Sequence, residues 1–266
     1  MTRTKRLFNF ANVRSLALAV VLLGALGACS DDDDEPNPDG PVILSFEYGE
    51  GSEHSTEPMA YKGSDIHMEA EIDAPATVSS ISVEIHAHDL TLAEGEEEWE
   101  FEQTYTGDKY LVKNPTFHEH VDIPTSIPSG KYNIIITVTD KLGNRVESEG
   151  QIDILDAITL DNISIDESVV RGSDLHAEFR VNAVHGVHHV VVDIHAHGLS
   201  VGEGETEWHY EGEFEEGYHG ETEIEFHEHI DVPSTAPAGE YHIVITVEDE
   251  EGNTSKIDSH LEVSAS

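Results

Sequence analysis

The sequence predicts an all-β protein built from two tandem antiparallel β-sandwich domains, and three observations lead to this prediction. The chain contains an internal repeat, its segments alternate apolar and polar residues, and Pro and Gly recur about every ten residues. A strand with one buried face gives this alternation, and turn residues at this spacing are typical of an antiparallel sandwich. Beyond the first 28 residues, no segment has the periodicity of a helix.

The internal repeat appears when the sequence is compared with itself at an offset of 109 residues. The segment IHAH at 85–88 then falls on IHAH at 194–197 (194 − 85 = 109), and FHEH at 117–120 falls on FHEH at 226–229. No gap is needed between residues 63 and 144. We therefore interpret the chain as a duplicated domain.

The N-terminus has the features of a lipoprotein signal. Basic residues precede the apolar run SLALAVVLLGALGA at 15–28, which is too short to span a bilayer. The run continues into Cys29 as LGAC, which resembles the lipobox of bacterial lipoproteins. This resemblance implies cleavage before Cys29 and attachment of lipid to its sulfur.

The segment that follows, SDDDDEPNPDG, is too acidic and too poor in apolar residues to form a core, so we expect a solvated tether. It resembles the acidic stretch that marks surface-exported lipoproteins of the Bacteroidetes. We therefore expect a lipid-anchored protein of the bacterial outer membrane that faces the cell exterior. The predicted organisation is a lipoprotein signal peptide at 1–28, an acidic tether at 29–41, Ig-like repeat 1 at 42–155 and Ig-like repeat 2 at 156–266.

The strands of each repeat follow from the alternation. In repeat 1, the segments at 63–72, 80–90 and 117–124 alternate apolar and polar residues, and KYNIIITVTD at 131–140 is a more apolar strand. The segment IPSGKYNIIITVTDKLGN resembles the sixth strand and following turn of bacterial immunoglobulin-like domains. This resemblance implies that the two tandem β-sandwich domains are immunoglobulin-like, and it places Tyr132, and Tyr241 in repeat 2, at the tyrosine corner. The two repeats have almost no linker between them, so we expect a semi-rigid tandem.

The charge of the chain excludes one class of partner. Removal of the signal peptide leaves 9 basic residues against 55 acidic residues, a formal charge of −46 (9 − 55). Such a surface repels nucleic acid and attracts cations or basic partners, so we expect no nucleic-acid binding. Cys29 is the only cysteine, which excludes an intrachain disulfide and a thiolate metal site.

Two His-x-His pairs in each repeat are the candidate metal ligands. Residues i and i+2 share one face of a strand, so each pair directs two imidazoles away from the apolar face. A transition metal takes three or four such neutral nitrogen donors at about 2.0–2.1 Å. The predicted ligands are His86, His88, His118 and His120 in repeat 1, and His195, His197, His227 and His229 in repeat 2.

The sequence leaves open whether the two pairs of one repeat converge. In a simple Greek key, both pairs reach the same pole of the sandwich, but their strands can belong to opposite sheets. We do not assign the matched His67 and His176 to the site, because their strand can lie on the far face. A donor set without thiols suits Zn²⁺, Cu²⁺, Ni²⁺ or iron, and we expect zinc or copper.

The lipobox, the tether, the duplicated Ig-like pattern and the IHAH…W…FHEH arrangement together resemble a family of Bacteroidetes lipoproteins that is catalogued as a domain of unknown function. The resemblance covers nearly the whole mature chain. It implies a fold and a location rather than an activity.

An enzyme of the cupin class is one rival interpretation. Cupins hold a catalytic metal with His-x-His, a Glu and a later His, and repeat 2 offers its IHAH pair, Glu203 and His242 in that order. Asn133 stands at the matching position of repeat 1, and the spacing is longer than in cupins. We therefore expect no enzymatic activity.

The sequence thus predicts a non-enzymatic surface lipoprotein that binds a divalent transition metal for scavenging, storage or delivery to an outer-membrane receptor. The alternative is a structural, adhesive or glycan-binding display module whose histidines are incidental. In that alternative, exposed Trp99 and Trp208 provide stacking surfaces for sugars.

Overall fold

The computed structural model describes residues 40–265 except Glu53, Glu94 and His197. The signal peptide, Cys29, most of the tether and the predicted ligand His197 therefore lie outside the described residues. Within the described residues the chain forms sixteen β-strands and no helix, which confirms the all-β class. None of the described segments is a helix that could cross a bilayer.

Each repeat contributes eight strands. Repeat 1 contains β1 (Val42–Glu50), β2 (Met59–Tyr61), β3 (Asp65–Asp73), β4 (Val78–Ala87), β5 (Glu100–Tyr105), β6 (Thr116–Asp122), β7 (Gly130–Asp140) and β8 (Arg145–Leu155). Repeat 2 contains β9 (Ile158–Ile165), β10 (Ser168–Val170), β11 (Asp174–Ala183), β12 (Val187–Ala196), β13 (His209–Phe214), β14 (Glu223–Asp231), β15 (Gly239–Asp249) and β16 (Thr254–Ser264).

Two sheets form the sandwich of each repeat. In repeat 1, a three-stranded sheet of order β1-β3-β6 faces a five-stranded sheet of order β2-β8-β7-β4-β5. Repeat 2 has the same two sheets, with orders β9-β11-β14 and β10-β16-β15-β12-β13. The strands are antiparallel neighbours except for β2 with β8 and β10 with β16, which are parallel. The two domains are therefore Ig-like sandwiches of the same topology.

Alternating side chains of the two sheets fill one core in each repeat. On β4, Ile81, Val83 and Ile85 are buried, whereas Ser82 and Glu84 between them are partly exposed. Burial of one such aliphatic side chain contributes roughly 1.5–3 kcal/mol to folding. The alternation in the sequence therefore reports which face of each strand packs inward.

The tyrosine corner is present in both repeats. The hydroxyl of Tyr132 donates a hydrogen bond of 2.8 Å to the carbonyl oxygen of Pro128, and Tyr241 donates one of 2.9 Å to that of Pro237. Burial raises the pKa of Tyr132 to about 12, so the hydroxyl keeps its proton at physiological pH. The prediction for both tyrosines is confirmed.

The two tryptophans pack beside these tyrosines rather than standing exposed. The ring centroid of Trp99 lies 5.6 Å from that of Tyr132, and Trp208 lies 5.1 Å from Tyr241. Trp208 is buried and belongs to the core of repeat 2, and Trp99 packs against the core of repeat 1. The expectation of an exposed tryptophan is therefore wrong for Trp208, and Trp99 is only partly exposed because it packs against the core.

A short junction joins the repeats. Only two residues separate β8 from β9, and the buried Lys62 of repeat 1 contacts both sides of the junction. Its ammonium group lies 2.8 Å from the carboxylate of Asp156, and its carbonyl oxygen accepts hydrogen bonds from His185 Nε2 (2.9 Å) and Asn253 Nδ2 (3.3 Å). These contacts are made by backbone and side-chain groups of both repeats.

Candidate metal centres

The register of the three-stranded sheet in repeat 1 places a third histidine beside the pair on β6. His67 on β3 lies directly opposite His120, and the next outward-facing position of β3 lies opposite His118. The three ring centroids are 4.9 Å (His67 to His118), 5.1 Å (His67 to His120) and 5.5 Å (His118 to His120) apart. Because side chains alternate along a strand, these imidazoles project from the outer face of the sheet, opposite the core.

A fourth imidazole comes from the loop between β1 and β2. The ring of His54 lies 4.5 Å from that of His67 and 5.2 Å from that of His120. One nitrogen of each of the four rings lies within 4.8 Å of the others. We call His54, His67, His118 and His120 the four-histidine cluster.

The loop that carries His54 is held tightly against the sheet. A Cβ atom at Gly49 would lie 2.3 Å from the carbonyl oxygen of Glu57, so only glycine permits this approach of the loop to β1. The amide of Gly51 donates a hydrogen bond of 3.0 Å to the carbonyl oxygen of Asp65. His54 itself has a φ of 49°, a left-handed conformation that is uncommon for a residue with a side chain. The backbone therefore directs the imidazole of His54 towards the cluster.

His67 is buried without a hydrogen-bond partner. The residue is 4 % exposed, and neither of its ring nitrogens has a partner. An unpaired polar group in the interior costs about 1–3 kcal/mol. Burial lowers the pKa of His67 below its ordinary value of 6.5, and the three neighbouring imidazoles lower the pKa further. His67 therefore presents a neutral ring with an unused lone pair, which is the form that binds a metal ion.

A carboxylate orients one ligand of the cluster. Asp65 Oδ2 lies 2.5 Å from His120 Nδ1, and an ionised carboxylate can only accept, so Nδ1 carries the proton. The free lone pair of His120 is then on Nε2, which lies 3.4 Å from His118 Nε2. Two nitrogens bound at about 2.0–2.1 Å to one tetrahedral zinc are about 3.3–3.4 Å apart. The pair is already spaced as two ligands of one ion.

Repeat 2 reproduces three of these four imidazoles. His176 lies opposite His229 in the register of β11 and β14, and the ring centroids of His176, His227 and His229 are 4.8, 5.1 and 5.4 Å apart. Asp174 Oδ2 lies 2.5 Å from His229 Nδ1, and this hydrogen bond lowers the pKa of Asp174. We call His176, His227 and His229 the three-histidine cluster.

The fourth histidine is missing from repeat 2 because the connecting loop is shorter. Eight residues connect β1 to β2, whereas two residues, Asp166 and Glu167, connect β9 to β10. Asp166 Oδ2 accepts a hydrogen bond of 3.0 Å from the backbone amide of His176, so this carboxylate is already engaged. Among the described residues, no fourth His, Cys, Asp or Glu joins the three-histidine cluster within 4.8 Å.

The described ligands predicted at IHAH lie at the five-stranded sheets: His86 is on β4, His88 directly follows β4, and His195 is on β12. His86, opposite Asn133 on β7, faces outward from the five-stranded sheet, while His118 and His120 face outward from the three-stranded sheet. In repeat 1 the two pairs are therefore separated by the core and do not converge, and in repeat 2 the core separates His195 from His227 and His229 in the same way. Asn133 Nδ2 lies 3.2 Å from His86 Nε2 and 3.4 Å from His88 Nδ1.

The matching position of repeat 2 belongs to a row of histidines across four strands. His195 lies opposite His209 on one side and His242 on the other, and His242 lies opposite His260. Asp193 accepts hydrogen bonds from His195 Nδ1 and from His209 Nε2, and its bond to His209 raises the pKa of that histidine.

A third group of possible ligands occurs in repeat 2. His188 Nδ1 lies 3.6 Å and His219 Nδ1 lies 3.3 Å from the carboxylate of Glu250. In the described part of the chain, this group and the two clusters above are the sets of three or more ligands within 4.8 Å.

Sequence reasoning missed His54 and His67 in repeat 1 and His176 in repeat 2. His67 and His176 are matched between the repeats, as are the preceding aspartates, and this doubled Asp-x-His was the available signal. His54 has no counterpart in repeat 2. Only the structure shows that its loop folds over His67.

A family profile described as "Domain of unknown function (DUF4625)" matches residues 27–155 and 156–264. The two matches cover most of the sequence and coincide with the two structural repeats. No curated protein matches the chain.

Solved structures resemble the chain only distantly. A tetra-tandem repeat in the extending region of a large adhesion protein is 13 % identical, with a TM-score of 0.33 over 84 % of this chain and 50 % of that one. Dimeric latent PorU from Porphyromonas gingivalis is 16 % identical, with a TM-score of 0.31 over 90 % of this chain and 22 % of that one. A bacterial ice-binding adhesin is 11 % identical, with a TM-score of 0.30 over 86 % of this chain and 67 % of that one. The chain thus spans half or less of the first two.

Proposed function

Because this chain belongs to the family described as "Domain of unknown function (DUF4625)", whose description states no activity, we propose a function from the site itself. The protein is a non-enzymatic metal-binding lipoprotein. It holds one divalent transition metal ion, zinc or copper, on the outer face of the three-stranded sheet of each repeat. The ligands are the four-histidine cluster in repeat 1 and the three-histidine cluster in repeat 2.

The buried, unpartnered imidazole of His67 is the observation that carries this proposal. A neutral imidazole with both nitrogens unpaired is unfavourable in the interior unless a ligand satisfies it. Three further imidazoles converge on it, and Asp65 orients one of them in the manner of an outer-shell carboxylate. A metal ion would satisfy the unpaired lone pair of His67 and join the four rings.

The cellular role of this binding rests on the sequence. The LGAC motif at Cys29 and the acidic tether support attachment to the outer membrane with the repeats facing the cell exterior. A formal charge of −42 for the whole chain concentrates cations near the surface. We therefore assign the protein to scavenging, storage or delivery of metal, with an outer-membrane receptor as the partner.

The test is a metal titration of the soluble chain that begins at Ser30, after removal of bound metal with a chelator. The chain carries His219→Ala, which removes the third group of possible ligands, and we expect two tight equivalents of Zn²⁺ or Cu²⁺ by calorimetry and by elemental analysis, one for each histidine cluster. Bound metal also raises the free energy of unfolding, by about 4 kcal/mol when free metal is a thousandfold above Kd. Weak binding that salt abolishes would contradict the proposal and favour the display module.

Double substitutions assign each equivalent to its cluster. His118→Ala/His120→Ala is expected to remove one equivalent, and the corresponding substitution in repeat 2 is expected to remove the other. The matched control is His86→Ala/His88→Ala, which deletes the His-x-His pair at the end of β4 and is expected to keep both equivalents. Loss of an equivalent in the control alone would place the site at IHAH and refute our assignment.

Gly51→Ala provides a test that leaves every ligand in place. A Cβ atom at Gly51 would lie 2.0 Å from Asp65 Oδ1, so alanine must displace the carboxylate that orients His120. Loss of such an outer-shell partner typically costs about 10–100-fold in metal affinity. We expect a loss of this size at repeat 1 and none at repeat 2, measured by competition with a chromogenic chelator. Unchanged affinity at repeat 1 would show that Asp65 does not support the site.

A further inference from the structure

The two clusters differ in the number of ligands that the chain supplies. The three-histidine cluster has ring separations of 4.8, 5.1 and 5.4 Å, and the corresponding separations in repeat 1 are 4.9, 5.1 and 5.5 Å. The shared part of the two sites is therefore the same in shape. In repeat 1 the remaining position is filled by His54, which covers His67.

We propose that repeat 1 holds its metal in a closed four-nitrogen site, whereas the site of repeat 2 keeps one coordination position open for a neutral, imidazole-type nitrogen donor from outside the chain. This inference rests on the proposed function, since it requires that both clusters bind metal. It assigns the two repeats different tasks. Repeat 1 retains its ion, and repeat 2 can exchange its ion with another molecule that supplies the fourth nitrogen.

The open position of repeat 2 faces solvent. His176 is partly exposed, whereas His67 is buried beneath the loop that carries His54. The turn of repeat 2 has only two residues, and the carboxylate of Asp166 accepts a hydrogen bond from the backbone amide of His176, so among the described residues the turn places no ligand over the cluster. An external donor can therefore approach from the side that His54 occupies in repeat 1.

One side chain of repeat 2 competes for the open position. Glu178 Oε2 lies 3.7 Å from His176 Nε2 on the same face of β11. It lies outside the three-histidine cluster as described, and its side chain is half exposed. A rotation could bring it to the metal, so the experiment includes its removal.

The charges around the cluster favour a neutral donor over an anion. Asp174 contacts His229, Asp166 contacts the backbone of His176, and Glu178 lies beside the ring of His176. The bound metal ion attracts a small anion, but these three carboxylates and the overall negative charge of the chain oppose that attraction. An uncharged imidazole does not meet this repulsion.

The experiment compares the two sites with cobalt(II) as the probe metal. One protein keeps only the site of repeat 2 (His118→Ala/His120→Ala), the other keeps only the site of repeat 1 (His227→Ala/His229→Ala), and both carry His219→Ala to remove the third group. Each cobalt-loaded protein is titrated with imidazole and with azide while the visible bands of cobalt are recorded. Elemental analysis after gel filtration checks that the metal stays bound.

We expect imidazole to shift the cobalt bands of the repeat 2 site and to leave those of repeat 1 unchanged, with a weaker effect of azide. Cobalt that stays bound to repeat 2 with bands insensitive to imidazole would overturn the inference while the proposed function stands. A response that appears only after Glu178→Gln would also overturn it, because Glu178 would then be the resident fourth ligand. If neither protein retains cobalt, both are titrated with Zn²⁺, which binds nitrogen ligands more tightly, and absence of tight zinc binding would overturn the proposed function itself.

Discussion

His67→Leu is expected to stabilise the metal-free protein and, at the same time, to abolish metal binding by repeat 1. Without metal, the buried His67 leaves both ring nitrogens unsatisfied, at a cost of about 1–3 kcal/mol. Leucine occupies a similar volume and has no polar atom to satisfy. We therefore expect the free energy of unfolding of the stripped protein to rise by about 1 kcal/mol or more in urea titrations.

With zinc or copper present, the same substitution is expected to lower the free energy of unfolding instead of raising it. The wild-type protein gains the stabilisation that ligand binding supplies, about 4 kcal/mol at a thousandfold excess over Kd, and the variant loses this gain for repeat 1. If His67 had a purely structural role, its substitution would change the free energy of unfolding in the same direction with and without metal. The reversal of sign between stripped and loaded protein is therefore the diagnostic result.

His176→Leu is the matched control for this prediction. His176 occupies the corresponding position of β11 but is only partly buried, with a side chain that is 29 % exposed. Water can satisfy its ring nitrogens, so we expect little gain in the stripped protein and the same loss of metal binding, now in repeat 2. Destabilisation of the stripped protein by His67→Leu would contradict the assignment of His67 as an unsatisfied ligand.

The pH dependence of the stripped protein provides a second measurement on the same variant. The pKa of His67 in the folded protein lies below the ordinary value of 6.5, mainly because of burial. As the pH falls below 6.5, the unfolded chain takes up a proton at this residue and the folded chain does not, so stability falls with decreasing pH. We expect this part of the acid destabilisation to be absent from His67→Leu when both proteins are followed from pH 7 to pH 5.

Much of the fold could be predicted because strands and turns leave local marks in a sequence. The alternation of β4 reports its buried face directly, and the Pro-x-Gly-x-Tyr entry to β7 places the tyrosine corner at Tyr132. The internal repeat shows the same alternation and the same Pro-x-Gly-x-Tyr motif a second time. Alternation does not report which sheet a strand joins, and the opposite placement of β4 and β6 had to come from the structure.

The candidate site was only half predictable for the same reason. His118 and His120 are two residues apart on one strand, so their shared direction follows from strand geometry alone. His67 meets them through the register between β3 and β6, a pairing of residues 53 positions apart (120 − 67) that no local pattern specifies. The position of His54 depends on a loop conformation that requires glycine at position 49. The sequence shows this glycine but does not show the close approach of the Glu57 carbonyl oxygen that requires it.

His54→Asn is expected to convert the closed site of repeat 1 into an open one. Asparagine tolerates the left-handed backbone that His54 adopts at a φ of 49°, so the loop keeps its conformation while the imidazole is lost. His54 is exposed, and we expect the stability of the stripped protein to change by less than about 0.5 kcal/mol. Metal affinity at repeat 1 should fall by more than the roughly 10–100-fold that the loss of an outer-shell group costs, because a direct ligand is removed.

Two measurements report the loss of the His54 imidazole: the metal affinity of repeat 1 and the response of its cobalt bands to imidazole. If His54 is the fourth ligand, the weaker affinity is accompanied by a new response of the cobalt bands of repeat 1 to imidazole, and the free imidazole restores the lost donor. His88→Ala, which removes an exposed histidine of repeat 1 directly after β4, is expected to change neither readout. Unchanged metal affinity of the variant, together with an imidazole response already present in the wild-type repeat 1 site, would show that His54 does not bind the metal. Both repeats would then hold metal through the same three histidines, and the difference between their loops would have no bearing on coordination.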